Sequence, residues 1–264
     1  MDGCLTFKDA STERIARAFD FRPLFATFTR SCGGARVSSM IDHVHDLASV
    51  REATDRLLTA AAKLDDAAAP SRLPGWTRGH VLAHLSRNAD ALVNVLQGRP
   101  MYVSAEARDA DIERDAHRPL AVQLDDVRES AARFQAEGEV PADWDRRVEL
   151  RNGVTDRAVR LPFRRLVEVE LHHVDLGIGY ELEDLPQEFT EREIDFLAER
   201  FSGHPTVPPT RLVASGKEWR TGGGEGAGVT VSGPAADLLG WLAGRRDGAA
   251  LEVTGDALPV LPPL

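Results

Sequence analysis

Glu168 and His172 stand four residues apart in a stretch of charged and apolar residues that begins near Pro162. In a helix this spacing places both side chains on one face, with Cβ atoms about 5–6 Å apart. A carboxylate oxygen and an imidazole nitrogen at that separation can bind one metal ion. Asp175 lies three residues beyond His172, where it can orient the ring. The alternative interpretation is an ordinary ion pair on a helix surface.

A second pair of histidines, His80 and His84, has the same spacing in another predicted helix. Helix bundles build metal sites from inward-facing His and Glu side chains of neighbouring helices. His84, Glu168 and His172 would supply two imidazoles and one carboxylate, which leaves a coordination position open, as in catalytic zinc sites. His80 and His173 compete for the same roles. The sequence therefore predicts a divalent metal site between two helices, with the choice among the histidines open.

The helices that must position these residues follow from apolar periodicity. We predict a poorly ordered N-terminal extension over residues 1–39 and a helical domain over residues 40–180. Together the predicted helices favour a four-helix bundle. They cover residues 41–69, residues 77–97, residues 104–116 with a continuation from 119, and the segment from 162 to 177.

The pattern changes after the bundle, and we predict a smaller α+β domain over residues 181–264. Thr190 and Glu193 have the spacing of a capping box that opens a helix. Strands are predicted at 211–214, 229–232 and 251–254, with a helix at 235–243. A small hairpin is predicted earlier, with arms at 147–150 and 158–161. The fold class is therefore α+β, a four-helix bundle followed by a smaller α+β domain.

Composition limits the partners of this chain of 264 residues. Its formal net charge is −10, which argues against a nucleic-acid binder, although local arginines can still bind an anionic substrate. We find no apolar run of membrane-spanning length and no signal peptide pattern, so we expect a cytoplasmic protein. The only cysteines are Cys4 and Cys32. A sulfur nucleophile, if the chemistry needs one, should therefore come from a small molecule.

Several stretches resemble the mycothiol-dependent maleylpyruvate isomerases, and together the resemblance covers about residues 41–264. The His and Glu-x-x-x-His pieces are shared with the wider DinB-like superfamily, so they imply the fold and a metal. The stretch at 101–108 and the Ala-Gly-Arg at 243–245 are more specific than these shared pieces, and they favour the isomerase itself. The similar stretches are 75–84, 101–108, 168–177, 231–234 and 242–245.

The resemblance implies a DinB-like bundle in which His84, Glu168 and His172 bind Zn²⁺, with mycothiol as the thiol cofactor. It implies that Arg245 is catalytic and pairs with a carboxylate of the substrate. The expected reaction converts maleylpyruvate to fumarylpyruvate in gentisate degradation, by thiolate addition, bond rotation and elimination. Glu170 and His173 depart from the family pattern, and we expect both to face away from the metal.

The expected partners are a small-molecule dicarboxylate and a low-molecular-weight thiol, with no nucleic acid and no membrane, in a monomer or weak homo-oligomer. Trp76 and Tyr102 are candidates for lining the pocket. Two other functions stay open. One is a mycothiol-dependent transferase that acts on another electrophile. The other is a non-catalytic DinB-like metal-binding module, which would not bind thiol.

Overall fold

The computed structural model describes residues 42–140, 142–224 and 228–263. The extension predicted for residues 1–39 lies outside these ranges. Within them the chain divides into an N-terminal unit, from Asp42 to Ile178, and a C-terminal unit that begins at Gly179. None of the helices in the described ranges is long and apolar enough to cross a membrane.

The N-terminal unit is built on a four-helix bundle. Helices α1 and α2 each contact both α4 and α5, and the shorter α3 packs on α2. Apolar side chains at helical spacing give each helix one buried stripe, and Leu57, Leu82 and Phe134 are fully buried at the centre. This arrangement confirms the predicted fold class. The helices are α1 (His43–Ala61), α2 (Arg78–Leu96), α3 (Ala105–Ala116), α4 (Leu120–Gly138) and α5 (Leu161–Asp175).

The prediction that α1 extends to Ala69 is wrong, because the helix ends at Ala61. The residues that follow instead accept hydrogen bonds from the first turn of α2. The carbonyls of Ala67 and Ala69 accept hydrogen bonds from the backbone N–H groups of Gly79 and Arg78, at 2.7 and 2.9 Å. Those N–H groups lie in the first turn of α2 and have no partner within the helix. Tertiary hydrogen bonding therefore overrides the helical periodicity of this segment.

Gly79 marks a close approach between α2 and the end of α3. A Cβ atom at this position would lie 2.2 Å from the carbonyl oxygen of Ala116. We expect Gly79→Ala to lower the free energy of unfolding by about 1–3 kcal/mol, the usual range for overpacking. Urea denaturation measures the change, with Gly228→Ala as control because its nearest neighbour would lie at 3.7 Å. An unchanged midpoint for Gly79→Ala would contradict the close approach.

The small hairpin forms, but its second arm differs from the prediction. Strand β1 (Arg147–Glu149) pairs with β2 (Thr155–Arg157), and residues 158–160, predicted as strand, form a 3₁₀ turn that leads into α5. Asn152 and Gly153 both have positive φ, 61° and 72°, so the chain reverses early. This early reversal places the second arm closer to the turn than hydrophobic pattern alone predicts.

The C-terminal unit contains a four-stranded sheet in the order β4-β3-β5-β6. Strand β3 is antiparallel to β4 and parallel to β5, which is antiparallel to β6. Helix α6 packs against β4 and α7. The elements are α6 (Gln187–Phe201), β3 (Thr210–Ala214), β4 (Lys217–Thr221), β5 (Val229–Ser232), α7 (Ala235–Leu242) and β6 (Glu252–Gly255).

Two features of this unit correct the sequence analysis. The capping box at Thr190 and Glu193 is wrong, because α6 already begins at Gln187 and the N–H of Thr190 bonds to the carbonyl of Pro186. Strand β4 was not predicted. Ser215 and Gly216 both have positive φ and form the tight turn that pairs β4 with β3.

Candidate metal centre

Helices α2 and α5 pack together and bring the predicted metal ligands into contact. His84 lies midway along α2, while Glu168 and His172 lie one turn apart on α5. Both histidines are buried, and the Glu168 side chain keeps 14% of its exposure. The two imidazoles are therefore shielded from solvent, and the Glu168 carboxylate is the partly accessible member of the group.

The three side chains converge on one point. His84 Nε2 lies 2.8 Å from Glu168 Oε2, and His172 Nε2 lies 3.3 Å from the same oxygen. One ligand atom from each residue lies within 4.8 Å of those of the other two. Two imidazoles and a carboxylate so placed fit a divalent metal ion such as zinc, and they leave room for a further ligand. His80 and His173 take no part in this group.

Asp175 orients the His172 ring. The Nδ1–H of His172 donates to Asp175 Oδ2 at 2.9 Å, and both residues are fully buried. This hydrogen bond directs the lone pair of Nε2 towards Glu168. An imidazole held by a carboxylate in this way is a stronger and better aligned metal ligand.

We expect Asp175→Asn to weaken zinc binding by about 10–100-fold, the usual cost of losing a carboxylate behind a ligating histidine. Competition with a chromophoric chelator measures the affinity. Asp125→Asn is the matched control, because Asp125 is exposed on α4 and pairs with Arg128. Equal affinity in Asp175→Asn and the unmodified protein would show that the contact does not support the ligand.

Burial and mutual charge set the protonation of the group. Burial lowers the pKa of His84 to about 4, although Glu168 opposes the shift. Burial alone would raise the pKa of Glu168, but the two histidines hold it well below its ordinary value. Burial alone would lower the pKa of His172, but hydrogen bonds to Asp175 and Glu168 outweigh it and raise that pKa. A neutral His84 and an ionised Glu168 are the forms that bind metal.

Arg108 on α3 contacts the group from the other side of His84. Its Nη2 lies 3.2 Å from His84 Nδ1. A guanidinium only donates, so this contact uses the lone pair of Nδ1. A histidine that binds metal through Nε2 carries its proton on Nδ1, and Arg108 must then turn away. Arg108 lies in a stretch that the sequence analysis singled out, but its role was missed because no local spacing links it to His84.

The competing histidines have other partners. His80 belongs to a second group with Glu113 and His117, in which only His80 is buried. The N–H of Thr77 donates to His80 Nδ1 at 3.2 Å, which leaves the proton on Nε2, facing Glu113. That nitrogen therefore donates in this structure, and the backbone N–H of Thr77 cannot turn away from His80 as the Arg108 side chain can turn from His84. His173 is buried on α5.

The remaining residues from the sequence analysis lie in different places. The Trp76 ring centroid lies 5.6 Å from that of His84. Arg108 lies over the Tyr102 ring, 5.8 Å from its centroid. Glu170 pairs with Arg56 of α1 at 2.6 Å. Arg245 lies in the C-terminal unit just after α7, where its Nη1 donates to the carbonyl of Ala243.

Comparisons with known proteins agree on one family. Residues 50–177 match the mycothiol maleylpyruvate isomerase N-terminal domain, and residues 184–262 match the MDMPI C-terminal domain. A search of curated protein sequences gives no significant match.

Two solved structures have the same fold. One is a crystal structure of the mycothiol-dependent maleylpyruvate isomerase, at 25% identity and a TM-score of 0.75. The other is a histidine-to-alanine mutant of the mycothiol-dependent maleylpyruvate isomerase, at 24% identity and the same TM-score of 0.75. Each alignment covers 84% of this chain and 96% of the other chain.

Proposed function

This chain belongs to the mycothiol maleylpyruvate isomerase family, and on that premise we propose that it converts maleylpyruvate to fumarylpyruvate with mycothiol, a step of gentisate degradation. The observation that carries the proposal is the convergence of His84, Glu168 and His172 within the matched N-terminal domain. We assign the metal chemistry to residues 40–180 and a substrate contact to residues 181–264.

We propose His84, Glu168 and His172 as the ligands of a zinc ion. The donor set and the close approach of the three ligand atoms support this assignment. When bound, zinc supplies Lewis acidity and lowers the pKa of a coordinated thiol, which at its ordinary value near 8.5 is mostly protonated at neutral pH. Asp175 keeps the His172 ring aligned, and the burial of His84 and His172 limits the access of water to these two ligands.

A cis-to-trans change requires rotation about the carbon–carbon double bond of the substrate. That bond must therefore become a single bond for a time. Addition of a thiolate to one alkene carbon moves the π electrons towards the neighbouring carbonyl oxygen, and elimination of the same thiolate restores the double bond. Arg245 would pair with a substrate carboxylate and stabilise the negative charge on that oxygen. Beyond Cys32 the chain has no thiol of its own, which is consistent with a borrowed one.

The direct test mixes zinc-loaded protein with maleylpyruvate, with and without mycothiol, and follows fumarylpyruvate by absorbance and chromatography. Product that forms only with mycothiol and protein together would support the proposal. If maleylpyruvate persists while the protein still binds zinc and mycothiol, the substrate assignment falls and another electrophile must be sought. Failure to bind the thiol would instead favour a non-catalytic metal-binding module.

A further inference from the structure

The N-terminal unit contains a cavity of about 630 Å³ whose wall is strongly basic. It lies between the end of α2, the segment that leads to α3, and the β1–β2 hairpin. Four guanidinium groups line it against one carboxylate, in a protein whose formal net charge is −10. The charged lining residues are Arg99, Arg146, Arg147, Arg151 and Glu149.

Arg151 is the member of this set whose hydrogen-bonding groups are least used by other described residues. Arg146 donates to two backbone carbonyls, and Arg147 donates to Thr155. The Nε of Arg151 is buried and has no hydrogen-bond partner among the described residues. The two terminal nitrogens of the same guanidinium make no hydrogen bond to a described residue, so they are the groups that can bind an anion.

Tyr102 connects the cavity to the candidate metal centre. Its side chain lines the cavity, and Arg108 lies over its ring. Arg108 in turn lies 3.2 Å from His84 Nδ1. The cavity wall is therefore two contacts away from a proposed metal ligand. Burial raises the pKa of Tyr102, so its hydroxyl stays protonated and can donate.

Arg165, like Arg108, is a buried arginine whose positive charge acts on Tyr102. Arg165 is fully buried on α5, one turn before Glu168, and its Nη1 donates to the carbonyl of Leu85 and to Asn88 at 2.8 Å. Its Nε and Nη2 have no hydrogen-bond partner among the described residues. Burial lowers the pKa of Arg165 to about 10, and attraction by Glu168 and Tyr102 opposes the shift. Arg165 therefore stays charged at neutral pH and favours an anion at this wall.

We propose that Arg151 and the Tyr102 hydroxyl form a subsite for one carboxylate of the substrate, in a field that Arg108 and Arg165 make positive. The proposal rests on the proposed function in taking the substrate as a dicarboxylate. The guanidinium offers paired N–H groups that match the two oxygens of a carboxylate.

The test measures binding of maleate, a dicarboxylate with the cis geometry, to the zinc-loaded full chain by calorimetry. We expect Arg151→Gln to weaken maleate binding at least about tenfold, as loss of a charge-assisted contact does, and Tyr102→Phe to weaken it by a smaller factor. Zinc content and the circular dichroism spectrum should not change. Arg128→Gln is the control, because this exposed arginine on α4 pairs with Asp125 and carries the same charge change.

The outcomes test the proposed subsite and the proposed reaction separately. Equal binding by Arg151→Gln and the unmodified protein, an equal loss in Arg128→Gln, or no binding of maleate to the unmodified protein would overturn the subsite. If maleylpyruvate is not isomerised but maleate binding still depends on Arg151, the subsite stands and the proposed function falls. If turnover occurs and Arg151→Gln binds maleate normally, the subsite alone falls.

Discussion

Replacing His84 by alanine is expected to lower zinc affinity by more than about 100-fold, which exceeds the cost of changing a group that only orients a ligand. The two remaining ligands, Glu168 and His172, come from one helix, so the change removes the contribution of α2. Mycothiol-dependent formation of fumarylpyruvate should fall to the background rate. Metal content after dialysis and product formation by chromatography measure the two effects.

Two further variants separate loss of the metal from loss of the fold. Glu168→Gln keeps the size of the side chain but removes its charge, and we expect it to lose zinc as well. His117→Ala is the matched control, because its side chain is 65% exposed in the second histidine group. Full zinc content and full activity in His84→Ala would contradict the ligand assignment. Loss of zinc in His117→Ala would point to the second group instead.

Substituting Arg245 is the second change with a large expected effect. We expect Arg245→Ala to lower kcat/KM for maleylpyruvate about 30-fold or more, because losing a charge-assisted contact to a carboxylate costs about 2–5 kcal/mol. Turnover of a neutral electrophile with the same thiol should change far less, since that substrate has no carboxylate to bind. Steady-state kinetics with both substrates measure the ratio.

The control for this change is Arg220→Ala, which removes an exposed arginine from β4 in the same unit. Its kinetics should match those of the unmodified protein with both substrates. An equal loss for the acidic and the neutral substrate in Arg245→Ala would assign Arg245 to structure or to thiol binding. No loss with maleylpyruvate would remove Arg245 from the substrate contact altogether.

The sequence predicts the part of the candidate centre that lies within one helix. Glu168, His172 and Asp175 share a face of α5 because of their spacing alone, and the structure brings them into contact. Bringing His84 to the same point required a prediction about how two helices pack, which bundle topology and family resemblance supplied. The catalytic role of Arg245 stays a prediction, because Arg245 lies in the C-terminal unit and the three candidate ligands lie in the N-terminal unit.

The basic residues around Tyr102 could not be predicted in the same way. Arginine is usually a surface residue, so nothing local indicates that Arg165 is fully buried. Its burial depends on the carbonyl of Leu85 and on Asn88, which belong to another helix. The early end of α1 has the same cause, because carbonyls of its predicted last turn bond to α2. Contacts between distant segments decide these features.

The position of Trp76 has a practical consequence for experiments. Its indole ring lies near both histidine groups, with its centroid 5.6 Å from that of His84 and 6.1 Å from that of His80. We expect a bound metal or a protonated imidazole at these distances to change the fluorescence of Trp76. A Trp76→Phe protein gives the contribution of the other three tryptophans, so titrations with metal or acid can be followed without an added dye.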